Sequence, residues 1–328
     1  MTPAEAAQAL FASAAVVHLI QAAIWPCRRL RPLVVALSLV PCLLPYPLLG
    51  SSPGIVAVVL AMAGGGQLVR VIDAAVSFPE ATRKQFLLFL FFLMRHPSRD
   101  ARPDVRTPPA RRFARGLALF ALWAVLALWG RRLRLWTWAP YLDDLWLAVE
   151  FSVFFLANVE VVTPIARRLG VHELLLSVDG LMPDFAGSPS LRVFWGRRWN
   201  PPVHNMLRRA VFVPLDGRRR PVRATLAVFA VSGLLHAVPL LLGGADRLLW
   251  LALAGGALAF FLLHGAGVLI EGLLPRRLRQ RWPARAVVYG TFLATLPLYP
   301  APLFALAGVH GRPVESLTPV LVARALGL

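Results

Sequence analysis

Residues 248–273 read LLWLALAGGALAFFLLHGAGVLIEGL. Ahead of Glu271, the one ionisable side chain in this run is His264. The run exceeds the ~20 apolar residues that cross a hydrocarbon core. A helix on the surface of a soluble globule keeps one polar face. Here Leu, Ala, Phe and Gly fall on every side, so the stretch reads as a membrane-crossing helix.

The same pattern recurs along the chain. Of 328 residues, 58% are hydrophobic and 16% charged, with a mean hydropathy of +0.64. A soluble domain is about 45–50% apolar. Candidate spans fall near 7–25, 32–49, 55–75, 113–129, 141–165, 222–242, 248–273 and 286–307. The expected fold class is all-α, a polytopic helical membrane protein of about eight transmembrane helices plus interfacial or re-entrant helices. The apolar run 86–94 is too short to cross. Flanked by Arg83, Lys84 and Arg95, it reads as interfacial or re-entrant. No segment is both long and polar enough to fold separately, which predicts one membrane-embedded domain over 1–328, its motif core at 188–271.

The formal net charge is +19, from 35 Lys+Arg against 16 Asp+Glu. In a soluble protein that balance points to nucleic acid. Here the arginines gather in short loops, as the positive-inside rule and attraction to anionic lipid headgroups require. Membrane lipid is therefore an expected partner and nucleic acid is not. A polyanionic substrate is compatible with the same charge. Arg28, Arg29 and Arg31, then the arginines of 83–112, 167–223 and 276–285, share one side if there are eight spans. That side should be cytoplasmic. Arg131, Arg132 and Arg134 dissent, either because the count is off by a pair or because they anchor the fourth span at its interface. The expected location is an integral, multi-pass position in a bacterial inner membrane. The N-terminus lacks a basic signal region, so the first apolar run is expected to be retained. Cys27 and Cys42 form neither a CxxC pattern nor a Cys/His metal spacing, so neither a disulfide framework nor a metal is expected.

The candidate chemistry lies in 188–271. Gly187-Ser188-Pro189-Ser190 reads as a helix start, with Ser188 as cap and Pro189 at the first helical position. Leu191, Phe194, Trp195, Trp199, Val203 and Leu207 then recur at helical spacing, with Arg192, Arg197, Arg198, Arg208 and Arg209 between them. This predicts an amphipathic interfacial helix, broken just after Asn200 by Pro201 and Pro202. His236 follows within a span, about 20 Å of helix beyond Val222. An imidazole there suits a general base, since its ordinary pKa is near 6.5. A histidine satisfied within a helix bundle is the plainer alternative. His264 and Glu271 share one helix face, as a polar seam or as packing.

Other patterns carry less. Gly50-Ser51-Ser52-Pro53-Gly54 matches a nucleophile elbow by letters but lies between apolar spans. His172-Glu173 has no second zincin histidine. Asp143-Asp144 reads as a solvated span end, and Asp73, Glu150 and Glu160 as membrane acids with no assigned partner.

Phe194-Trp195-Gly196-Arg197-Arg198-Trp199-Asn200 resembles the signature of the wax-synthase-like branch of the membrane-bound O-acyltransferases. The run Trp195-x-x-x-Trp199-Asn200-x-Pro202-Val203-His204 is similar to the matching region of diacylglycerol acyltransferases. His236 in its apolar run follows at a family-like distance, and Phe261-Leu262-Leu263-His264-Gly265 also resembles the branch. The resemblance implies acyl transfer from acyl-CoA, as co-substrate and without a further cofactor, to the hydroxyl of a lipophilic alcohol. It makes His236 the catalytic base and Asn200 the second catalytic residue. Trp195, Arg197, Arg198, Trp199, His204 and His264 become substrate-binding candidates. The branch often has an acidic residue directly after the histidine. Here it is Ala237, which leaves the acceptor open. The rival from another class is a lipid transporter or scaffold of the same fold with no reactive histidine.

Overall fold

Proline opens many of the helices: Pro3–Ile24, Pro109–Leu133, Pro140–Arg168, Pro201–Leu207, Pro221–Leu241 and Pro300–Leu306. It lacks the N–H that a first turn leaves unbonded, and its fixed φ suits that position. The structure is a computed structural model. It describes residues 3–44, 68, 71–72, 74–76, 80–84, 86–87, 108–168, 187–241, 247–275, 282–306 and 316–326. The described residues are helical with turns, and no strand occurs among them. Most of the expected span at 55–75 and of the short run 86–94, along with Gly50–Gly54 and His172-Glu173, lie outside the described residues.

Three described helices are long and apolar enough to cross a membrane: Pro109–Leu133, Pro221–Leu241 and Arg247–Leu273. They match the expected fourth, sixth and seventh spans. Pro140–Arg168 covers the fifth. The second is broken: Arg31–Leu37 stops at Ser38, and Leu39–Leu43 follows. The eighth is also not continuous. Trp282–Thr295 gives way to a tight turn at Leu296–Leu298, and Pro300–Leu306 starts afresh. Pro297 and Pro300 account for the break, since each removes a backbone donor.

The chain divides into two compact units, Met1–Met94 with Asn205–Ala254, and Arg95–His204 with Gly255–Leu328. In the first, Trp25 stacks on Phe86 at 4.0 Å between ring centroids and donates its indole N–H to the Ala81 carbonyl at 2.8 Å. Ala22, Val34, Val71 and Ala74 complete that core. Gln21 is fully buried because its amide is satisfied. It donates to the Val34 carbonyl and the Ser38 hydroxyl, each at 2.8 Å, and accepts from His18 Nδ1 at 2.9 Å. Buried amides persist only when bonded in this way.

In the second unit, Pro109–Leu133 and Pro140–Arg168 form an antiparallel pair. The link turns at Arg134, which takes a left-handed φ of 46°. The crossing is close at Gly116, where a Cβ would meet Val161 Cγ2 at 2.6 Å and the Val161 backbone nitrogen at 3.1 Å. Trp146 Nε1 donates to the Leu126 carbonyl at 3.1 Å farther along. Of the 109–133 helix, Gly116 and Gly130 are the buried residues, while Leu117, Leu122, Val125, Leu128 and Trp129 point outward.

Asp143 and Asp144 correct the expectation of a solvated span end: both are fully buried. The Thr318 hydroxyl donates to Asp144, and Asp143 stands in the first turn of the Pro140–Arg168 helix, where the dipole favours negative charge. Glu160 is paired with Arg115 at 3.7 Å.

Candidate functional site

The first unit contributes His236, half-buried on the Pro221–Leu241 helix among the buried residues Ser232, Gly233, Ala237 and Leu240. Its Nδ1–H donates to the Ser232 carbonyl one turn back, at 2.7 Å. A carbonyl can only accept, so this bond sets the neutral tautomer and puts the lone pair on Nε2. That is the form a general base needs. Pro239, three residues on, sits inside the same helix.

The second unit holds the motif helix. Ser190, not Ser188, caps it: the Ser190 hydroxyl accepts from the Val193 N–H at 3.0 Å. Ser188 is buried instead. A contact from far along the chain fixes this register, because Glu271 Oε2 accepts the N–H of Arg192 at 2.9 Å. Both bonds satisfy donors that a helix start leaves open. Glu271 therefore serves packing, and Gly267 and Gly272 leave room for Leu191 and Arg192 beside it.

The predicted single amphipathic helix is not one helix. After Leu191–Val193 the chain widens into a π-helical turn over Phe194–Arg198, closed by Trp199 N–H to the Phe194 carbonyl at 2.8 Å. Such insertions occur often at functional sites. Trp199 is extended, and Asn200 takes a left-handed φ of 44°. The break expected just after Asn200 thus lies at Asn200 itself. Its carbonyl then accepts from His204 N–H at 3.1 Å and starts Pro201–Leu207. Asn200 Oδ1 is buried with no hydrogen-bond partner.

The aromatic side chains do not form a stripe lying on lipid. They face inward. Trp199 stacks on Phe194 at 5.5 Å and on Phe155 at 6.0 Å. Trp195 meets Phe292 at 6.1 Å, Phe261 at 5.8 Å and the His264 ring at 5.3 Å. His264 is fully buried, and its Nδ1–H donates to the Phe260 carbonyl at 2.9 Å. Its Nε2 is buried without a hydrogen-bond partner. Trp195, Trp199 and His264 therefore share one cluster, with Asn200 next to it in the chain. Arg197 is exposed, and Arg198 and His204 are half-buried. Sequence reasoning missed Phe260, Phe292 and Tyr299. Phe260, one turn before His264 on the same face, was the available signal.

A family profile described as "Membrane bound O-acyl transferase family" matches residues 181–263. The match covers about a quarter of the chain. The matched segment contains Trp195, Asn200 and His236 and ends one residue before His264. The chain is 26% identical over 202 residues to "Probable long-chain-alcohol O-fatty-acyltransferase 1" of Arabidopsis thaliana, covering 58% of this chain and 55% of the relative. It is 30% identical over 165 residues to "Probable long-chain-alcohol O-fatty-acyltransferase 9" of the same plant, covering 44% of this chain and 47% of the relative. Against "Acyl-CoA--sterol O-acyltransferase 1", also of Arabidopsis thaliana, it is 31% identical over 100 residues, 28% of each chain. The chain spans about half the length, or less, of these relatives. They agree with the wax-synthase-like branch. Being plant proteins, they lend no support to a bacterial membrane. The family segment and the apolar helices together make this an integral membrane protein.

Proposed function

We propose that this protein transfers a fatty acyl group from acyl-CoA to the hydroxyl of a lipophilic alcohol. His236 carries the proposal, as a tautomer-fixed imidazole in an apolar helix inside the family-matched segment. The acceptor hydroxyl gives its proton to His236 Nε2 as its oxygen attacks the thioester carbonyl. The C–S bond breaks, the ester is released, and the thiolate of coenzyme A takes the proton. Asn200 donates a hydrogen bond to the carbonyl oxygen as charge develops there. A water-poor setting favours ester over hydrolysis. No metal or bound cofactor enters this chemistry.

The direct test supplies labelled palmitoyl-CoA and long-chain alcohols to membranes carrying the chain, and reads esters by mass spectrometry. Ester formation above that of membranes lacking the chain is expected. No ester with any alcohol overturns acyl transfer and favours a transporter or scaffold.

The topology that goes with this chemistry has eight spans, with the arginine-bearing loop that reaches Arg223 on the cytoplasmic side, where the acyl-CoA phosphates meet it. Arg218 is an exposed residue of that loop. Cys27, which is exposed, must first be replaced by serine, while Cys42 is buried. In that background, Arg218→Cys is expected to resist an impermeant thiol reagent in intact cells and to react after lysis. Ready labelling from outside would invert the topology.

A further inference from the structure

Arg218, Arg219, Arg220 and Arg223 crowd the entry to the Pro221–Leu241 helix, with Asp216 as the one carboxylate beside them. A fixed turn presents them. The Asp216 carbonyl accepts the N–H of Arg219 and of Arg220, each at 2.9 Å, and Asp216 takes a left-handed φ of 53°. All four arginines are exposed. Arg219 reaches the Asp216 carboxylate at 4.0 Å, a loose surface pair. Arg218, Arg220 and Arg223 have no ion pair among the described residues. Like charges held this close repel one another, and an anion relieves them.

The surroundings narrow which anion it is. Arg219, Arg220 and Arg223 line an open cavity of about 640 Å³ with Pro221, Val222 and Leu226. Its lining is mainly apolar. Val222 and Leu226 are exposed and, four residues apart, share one helix face. The 21 residues of Pro221–Leu241 make about 31 Å of helix, close to the thickness of a hydrocarbon core. The cavity therefore falls where phosphates give way to acyl chains. Its ligand carries negative charge with hydrocarbon directly next to it. Acyl-CoA, which meets the same loop, is the rival, but a long polar arm separates its phosphates from its acyl chain. A glycerophospholipid joins the two through its glycerol. A zwitterionic headgroup brings an ammonium that the arginines repel.

We propose that the Arg219–Arg220–Arg223 cavity binds an anionic glycerophospholipid, its phosphate on the arginines and an acyl chain along Val222 and Leu226. Acyl transfer plays no part in this site, which stands or falls by binding alone.

The test titrates the full chain in neutral detergent with phosphatidylglycerol or phosphatidylcholine and counts bound lipid by native mass spectrometry. One basic residue near an anionic headgroup contributes about 5-fold. Wild type is therefore expected to hold phosphatidylglycerol about 10-fold or more tighter than phosphatidylcholine. Arg220→Gln with Arg223→Gln should weaken phosphatidylglycerol by about 30-fold and leave phosphatidylcholine unchanged. Arg131→Gln with Arg132→Gln removes the same charge elsewhere and should change neither. Coenzyme A and glycerol 3-phosphate, which bring phosphate without a chain, should not displace the lipid at equal concentration. Each comparison is a ratio on one folded protein, so a loss of yield does not move it. Equal affinity for the two lipids overturns the proposal. So does an equal loss in both double variants, which would make the attraction one of overall charge. Displacement by coenzyme A or glycerol 3-phosphate overturns it in favour of a phosphate site that needs no chain.

Discussion

Replacing His236 with alanine is expected to lower ester formation by about 10²–10⁴-fold, the range that general-base catalysis contributes. In barrier terms that is about 3–5 kcal/mol. The fold should survive. The ring makes a bond to the Ser232 carbonyl within its own helix, and alanine is the best helix former. His236→Gln is the sharper variant: it keeps an amide able to hydrogen-bond but cannot take a proton at neutral pH. It should be as inactive as His236→Ala. Ester yield by mass spectrometry, read beside the thermal melt of each purified variant, checks both. Near-wild-type turnover in either variant, with normal insertion, removes His236 from the reaction.

Deleting the Asn200 amide is expected to lower kcat by about 10²–10³-fold with a smaller change in KM, as for other single donors to a developing oxyanion. The backbone there makes the choice of substitution decisive. At φ 44° asparagine is tolerated, glycine is at ease, and alanine pays about 1–2 kcal/mol for its Cβ. Asn200→Gly therefore removes the amide and keeps the turn, whereas Asn200→Ala removes the amide and strains the turn. A catalytic amide predicts an equal loss of kcat in both, with a lower melting temperature for alanine alone. Asn200→Asp keeps the turn but places a carboxylate against the developing charge, and should be slower than Asn200→Gly. If Asn200→Gly turns over like the wild type, Asn200 serves only as the joint between Phe194–Arg198 and Pro201–Leu207.

The uninterrupted apolar helices were legible because crossing a bilayer depends on local composition. The expected 222–242 and 248–273 lie within a residue of the observed helices. The break at Leu296–Leu298 was written in Pro297 and Pro300, but a hydropathy reading averages across such a turn. Ser188 fitted the capping rule, but Ser190 caps the helix, in a register held by Glu271, a partner far along the chain. Asp143-Asp144 looked solvated because Thr318, which donates to Asp144, is equally remote. The break beside Asn200 followed from its two prolines, while the π-helical turn before it has no such signature. The histidines were visible as residues. What encloses His264 was only partly so: Phe260 shares its helix, whereas Trp195 and Phe292 arrive from other segments.

The outward face of Pro109–Leu133 bears on how this chain diverges. Lipid tails cannot tell Leu122 from a valine or Val125 from an isoleucine, since none of these offers them a shape or a hydrogen bond to match. A side chain at Gly116 would meet a backbone atom that cannot yield. Drift should therefore run freely over the apolar exterior of this helix and halt at its glycine. Kinship written in such a surface fades quickly, while kinship written around Trp195, Asn200 and His236 persists.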